Sequence, residues 1–206
     1  MSGAEAQVRR ELPKRHFSDF MRHLLRQPMQ VGALSPSSRH LASSLVEGMR
    51  PGSRVIELGA GTGAVTRAIL DAGVRSSDLT LIEKNEEFAD LLEQHFPGTN
   101  VVRANAVSLR RHLCPESEPA DFIVSGLPLL LFPERTKLRL LSQIFRSLRE
   151  DGCLYQFTYG LWCPINRSTL RCLGLEASRI KFTVRNFPPA FTYRIVRAGE
   201  RWKQAS

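Results

Sequence analysis

The chain has 206 residues, 42% of them hydrophobic, which suits one domain with a real core. Lys and Arg number 29 against 20 Asp and Glu, and the net charge of +9 points to an anionic partner, either a nucleic acid or an anionic membrane surface. The four cysteines show no C-x-x-C spacing, so neither a zinc knuckle nor a redox pair is indicated, and no apolar run reaches the ~20 residues of a membrane span.

Taken in chain order, the first element is a helix over Lys14 to Gln27. Phe17, Phe20, Met21, Leu24 and Leu25 share one face, with Arg15, Arg22 and Arg26 opposite, and Pro28 ends the segment. A turn-rich link from Val31 to Ser38 leads into a short helix that reaches about Met49. Val55 to Leu58 reads as a buried strand between Pro51-Gly52 and Gly59, followed by a helix from about Thr62 to Ala72. Leu79 to Glu83 is a second strand, and a helix from Glu86 to Phe96 stops at Pro97-Gly98. Strands follow at Asn100–Arg103, Asp121–Val124 and Cys153–Thr158, with a long helix from Glu134 to Leu148 before the last of them. Ile180–Val184 and Phe191–Val196 read as a closing antiparallel hairpin. Strand and helix in alternation predict an α/β chain whose mostly parallel sheet is wrapped on both faces, with ligands at the carboxyl ends of its strands.

The sharpest motif is Glu57-Leu58-Gly59-Ala60-Gly61-Thr62-Gly63, which leaves a strand and opens a helix. Its glycines are spaced G-x-G-x-G rather than G-x-G-x-x-G, and Glu57 at the strand end would repel a diphosphate. An acid there suits a cationic ligand, and S-adenosylmethionine carries both an ammonium and a sulfonium. Glu83 ends the second strand, where a carboxylate can accept both ribose hydroxyls. Asn105-Ala106 follow the third strand, where an amide can meet the adenine edge.

On these residues the chain resembles the class I methyltransferases, from about Gly32 to Arg197. The resemblance implies a Rossmann-like, seven-stranded, mostly parallel sheet with an antiparallel terminal hairpin, preceded by N-terminal amphipathic helices. It implies S-adenosyl-L-methionine as the cofactor, held by Gly32, Ser37, Glu57, Gly59, Gly61, Gly63, Glu83, Lys84, Asn105, Ala106 and Ser125. Two domains are expected: residues 1–50 as a membrane-binding helix and cofactor lid, and residues 51–206 as the methyltransferase domain.

Two branches with this core tolerate a basic chain: rRNA adenine N6-methyltransferases and bacterial phospholipid N-methyltransferases. Enzymes that methylate a nucleobase amine place an Asn or Asp and then an aromatic after the fourth strand, to hold the amine and stack the base. Here that stretch is Ser125-Gly126-Leu127-Pro128-Leu129-Leu130, with Gly126 for the amide and Leu129 for the aromatic. This loop is similar to that of the phospholipid enzymes. So are Val31 to Ser38, Gln156-Phe157-Thr158-Tyr159-Gly160 and Arg185-Asn186-Phe187-Pro188-Pro189-Ala190. The function implied is stepwise methylation of phosphatidylethanolamine to phosphatidylcholine at the membrane surface, with the rRNA activity as the alternative.

The attacking amine must be neutral, and a primary amine has a pKa near ~10 by analogy with Lys. His40 and Tyr159 are the candidates to hydrogen-bond the amine or relay its proton. Phe20, Tyr159 and Trp162 offer aromatic faces to the growing cation. Arg22 and Arg185 are candidates for the headgroup phosphate, and Leu127 and Asn186 complete the expected substrate set. Six basic and two acidic residues from Arg9 to Arg26 make the first helix basic as well as amphipathic. Lys14, Arg15, Phe17 and Arg26 are therefore expected to bind an anionic membrane. The expected partners are the phospholipid and that membrane, with no nucleic acid and no metal. The protein is expected to be monomeric off the membrane and cytoplasmic, on the inner face of the plasma membrane.

Overall fold

Seven runs of aliphatic and β-branched residues pair side by side in the computed structural model, which describes residues 43–113, 118–158, 162–183 and 190–199. In chain order the strands are β1 (Val55–Leu58), β2 (Leu79–Glu83), β3 (Asn100–Arg103), β4 (Ala120–Ser125), β5 (Leu148–Thr158), β6 (Leu175–Thr183) and β7 (Ala190–Arg197). The helices are α1 (Ala64–Asp71), α2 (Glu86–His95), α3 (Glu134–Ser147) and α4 (Arg167–Cys172). The sheet order is β3-β2-β1-β4-β5-β7-β6, parallel except for β7, which runs antiparallel to both neighbours. The expected fold class is the observed one. The helix expected over residues 14–27 lies outside the described residues, as do Lys14, Arg15, Phe17, Phe20, Arg22 and Arg26.

All four residues of β1 are buried, because both faces of the sheet are covered. One face carries Ile56, Leu58, Ile123 and Leu154 against Leu140, Leu141 and Ile144 of α3. The other carries Val55, Leu81, Val124 and Tyr155 with Ile69 of α1 and Leu92 of α2. Each of these large side chains contributes roughly 1.5–3 kcal/mol by leaving water. Leu45 and Met49 are buried in the second layer, so the chain ahead of β1 already belongs to this core from residue 44 onward. Two bonds tie it down: Ser44 Oγ to Thr192 Oγ1 at 2.7 Å, and Tyr155 Oη donating to the Glu47 carbonyl at 2.6 Å.

Boundaries differ from expectation where local geometry intervenes. Gly63 occupies the left-handed region, so α1 begins at Ala64 rather than near Thr62. Helix α4 has only six residues, too few to show a periodicity, and is started by the Asn166 side chain, which accepts from Thr169 N. Strand β6 begins at Leu175, five residues before the expected start, because β7 pairs with it along its whole length. Arg197 closes the structure from β7: its guanidinium donates to the carbonyls of Phe145, Leu148, Arg149 and Glu150, satisfying the exposed carbonyl end of α3. Among the described residues, no helix is long and apolar enough to cross a membrane.

Candidate active site

The site is assembled at the carboxyl edge of β1, β2 and β4. Gly59 N donates to the Ile82 carbonyl at 2.8 Å and Gly126 N to the Leu58 carbonyl at 2.9 Å, so the loops leave adjacent strands still joined. Gly61 and Gly63 both have positive φ, +55° and +80°. Their surroundings differ. A Cβ on Gly63 would lie 2.2 Å from Phe96 Cε2, so this glycine lets the loop pack on α2. A Cβ on Gly61 would meet nothing within 4 Å, so its backbone faces open space that a ligand can approach closely.

Two buried carboxylates flank that space. Glu57 is 3% exposed and accepts from Thr66 Oγ1 at 2.6 Å. Burial pushes its carboxyl up to about 8, the Thr66 bond opposes this, and the charge of Glu83 adds to it. Glu83 is clamped by backbone: one oxygen accepts from Gly61 N at 3.0 Å, the other from Lys84 N and Asn85 N, both at 2.8 Å. Among the described residues neither carboxylate has an ion-pair partner. Two buried acids without a cation are costly by themselves and suit a ligand that brings positive charge. The residues present therefore fit S-adenosylmethionine. Behind them, Arg103 of β3 bonds Glu86, Asp90 and Glu93 at 2.8 to 3.0 Å, holding α2 beside the β2 end.

Asn105 uses its Oδ1 to accept from Val107 N at 3.0 Å and cap the 3-10 turn that begins at the buried Ala106. Lys84 is exposed and enters the site through its backbone N–H. Ser125 is fully buried at the end of β4, and its Oγ accepts from Leu127 N at 3.3 Å. A Cβ on Gly126 would stand 2.9 Å from the Gly59 carbonyl oxygen, so no side chain fits there without moving backbone. Leu127 then packs over Gly59. After Pro128, Leu129–Leu131 form a 3-10 turn with Leu129 buried and Leu130 and Leu131 each 39% exposed.

The structure thus brings Glu57, Gly59, Gly61, Gly63, Glu83, Lys84, Asn105, Ala106, Ser125 and Leu127 to one edge of the sheet. The expected Gly32, Ser37, His40, Tyr159, Arg185 and Asn186 lie outside the described residues. Trp162 is 80% exposed. Two residues of the site went unread as individuals. Thr66 lies nine residues beyond Glu57, on the buried face of an amphipathic helix. Gln156 was visible only within its segment, yet its Nε2 donates to the Leu127 carbonyl at 3.0 Å and holds the loop after β4. A cleft of about 320 Å³ opens at the opposite, amino edge of the strands, among Arg54, Thr80, Asn100 and Arg110. Ligands of such sheets bind at the carboxyl edge, where the glycines and acids stand.

Residues 55–152 match the model of a family described as a methyltransferase domain. Ornithine lipid N-methyltransferase of Singulisphaera acidiphila is 30% identical over 180 residues, covering 84% of this chain and 92% of that protein. Ribosomal RNA small subunit methyltransferase A of Prosthecochloris aestuarii is 33% identical over 80 residues, 39% of this chain and 29% of that one. Among solved structures, magnesium protoporphyrin IX methyltransferase from Synechocystis PCC 6803 with bound S-adenosylmethionine superposes with a TM-score of 0.64 at 14% identity, over 89% of this chain and 94% of that one.

Proposed function

The chain belongs to the class I S-adenosylmethionine-dependent methyltransferases, and we propose that within them it methylates the amine headgroup of a membrane lipid. The observation that carries this reading is Gly126. A Cβ there would stand 2.9 Å from the Gly59 carbonyl oxygen, so the amide that nucleobase methyltransferases place at this position is absent and would crowd the backbone. Leu129, buried under its own turn, gives no exposed ring for a base to stack on. A small aliphatic amine needs neither support. The similarity to an ornithine lipid N-methyltransferase extends over nearly the full length of both chains, whereas the rRNA enzyme is matched over a short stretch.

The preferred substrate is phosphatidylethanolamine, taken stepwise to the mono- and dimethyl forms and to phosphatidylcholine. Ornithine lipid is the second reading, favoured by the name of that relative. Bound S-adenosylmethionine supplies a methyl group already activated on a sulfonium. The protein's own work is positioning and exclusion of water. Glu57 and Glu83 hold the positive charge and the ribose hydroxyls of the cofactor, and Gly61 lets backbone approach it. The aliphatic Leu127 to Leu131 wall keeps the amine dry and so favours its neutral form.

A membrane surface is the proposed place of action, at the cytoplasmic face of the plasma membrane. Leu130, Leu131 and Leu138 are exposed along the loop and the first turns of α3. Arg135 and Arg139 are exposed on the same helix and have no ion-pair partner among the described residues. Leucines flanked by unpaired arginines fit an anionic leaflet. The test is methyl-labelled S-adenosylmethionine incubated in parallel with three acceptors: vesicles of phosphatidylethanolamine plus anionic lipid, the same vesicles carrying ornithine lipid instead, and ribosomal RNA. Label in a lipid extract is expected, and chromatography of that extract counts the methyls added. Label confined to RNA would overturn the reading.

A further inference from the structure

Gln156 stands at the carboxyl end of β5, paired in register with Ser125 of β4. Its side chain is fully buried. Both N–H bonds of the amide are committed to carbonyl oxygens: Leu127 O at 3.0 Å and Phe157 O at 2.7 Å. Two acceptors on that side dictate which end of the amide is nitrogen. The oxygen is therefore turned away from them, and among the described residues the buried Oε1 has no hydrogen-bond partner. Buried carbonyl oxygens are seldom left so, because burial removes their water. Through Nε2 the residue borders the loop after β4, and its backbone is paired with that of Ser125, at the carboxyl edge where the lipid amine is read to react.

Resting on the lipid-amine reading above, we propose that Gln156 Oε1 accepts a hydrogen bond from an N–H of the amine being methylated, and so favours the earlier methyl transfers over the last. An amide oxygen suits this task better than a carboxylate. It orients an N–H while carrying no charge that would hold the amine as its unreactive ammonium. The consequence follows from counting hydrogens on the reacting neutral nitrogen. A primary amine has two N–H bonds and a monomethyl amine has one, so both can use Oε1. A dimethyl amine has none and gains nothing from it.

The test uses the full chain, with short-chain phosphatidylethanolamine, its monomethyl and dimethyl derivatives, and the matching ornithine-lipid series as acceptors. Affinity for S-adenosylhomocysteine and thermal unfolding are followed in parallel. In Gln156→Met, kcat/KM for the primary and monomethyl amines is expected to fall about 10-fold, as for one lost hydrogen bond. The dimethyl amine is expected to fall several-fold less, because it loses only the Leu127 tether that all three amines share. In Gln156→Glu, the pH profile for the primary amine is expected to move upward by about one unit, because a carboxylate holds the amine protonated. The Glu variant carries the test if the Met variant does not fold. An equal loss on all three amines, or an unmoved profile in the Glu variant, overturns the inference and leaves Gln156 as the tether of Leu127. Wild-type protein inactive on both lipid series overturns the underlying reading and this inference with it.

Discussion

The two halves of the carboxyl edge are built on opposite principles. The half formed by β1, β2 and β3 is charged and over-determined: Glu83 takes three backbone N–H bonds, Glu57 takes a hydroxyl, and Gly63 is pressed against Phe96. The half formed by β4 and β5 is apolar and lightly tethered, with Leu127 to Leu131 held through Ser125 Oγ and Gln156 Nε2. The contrast matches the cofactor and the substrate we propose. A cofactor with fixed charges and hydroxyls calls for fixed polar groups, while a small amine on a lipid calls for a dry wall and one orienting acceptor.

The contrast can be broken most severely at Gly63. Gly63→Ala combines a φ of +80° with a Cβ 2.2 Å from Phe96 Cε2, and is expected to cost about 3 kcal/mol in urea unfolding. Gly61→Ala has open space and is expected to cost only about 1 kcal/mol while weakening cofactor binding. Equal stability losses in the two variants would show that the loop does not distinguish packing from ligand approach.

Next in size is Glu57→Gln, expected to weaken S-adenosylmethionine binding by roughly 10- to 100-fold in calorimetry, as for loss of one charged contact. Its pH signature sharpens the test. The carboxyl is raised from 4.5 to about 8 on folding, so the native state holds a proton that the unfolded chain has released. Stability of the ligand-free protein therefore falls as pH rises from 4.5 towards 8, by at most ~1.4 kcal/mol per unit. Glu57→Gln is expected to remove that slope. In wild type, cofactor affinity is expected to rise over the same range as the carboxylate forms. A slope that survives the substitution would assign it to another group.

On the apolar side, Gly126→Asn installs the amide found in nucleobase enzymes. It is expected to cost about 1–2 kcal/mol by crowding the Gly59 carbonyl and to add no label to RNA. A gain of RNA methylation would show that only the missing amide separates the two activities. The smallest effect is expected from replacing Leu130 and Leu131 together by Ser. Stability should stay within about 0.5 kcal/mol, because both side chains are already partly exposed. Co-sedimentation with anionic vesicles should drop about threefold. Unchanged sedimentation would overturn the membrane contact proposed for this loop.

Much of this was legible in the chain before any fold. The G-x-G-x-G run, Glu57 and Glu83 stand at the carboxyl ends of β1 and β2, in the chain order the sequence shows. β1, β2 and β3 appeared at their observed limits, because buried parallel strands are short apolar runs bounded by Gly, Pro and polar turns. Elements that depend on partners were harder to read. Strand β6 is extended by its pairing with β7, and α4 is shorter than any periodicity can reveal.

Residue types, spacing and the glycine pattern by themselves determined the alternating α/β order, the cationic character of the cofactor and the edge of the sheet where its site is expected. These are local properties, written wherever a strand ends and the backbone must turn. Only the tertiary structure decided that Gly126 touches Gly59, that Thr66 bonds Glu57 and that both N–H bonds of Gln156 are spent on carbonyls. Each of those facts is a contact between separate segments or the burial that enforces it. A chain read residue by residue shows that Gln156 carries an amide, but only the packed sheet leaves the oxygen of that amide buried without a partner among the described residues.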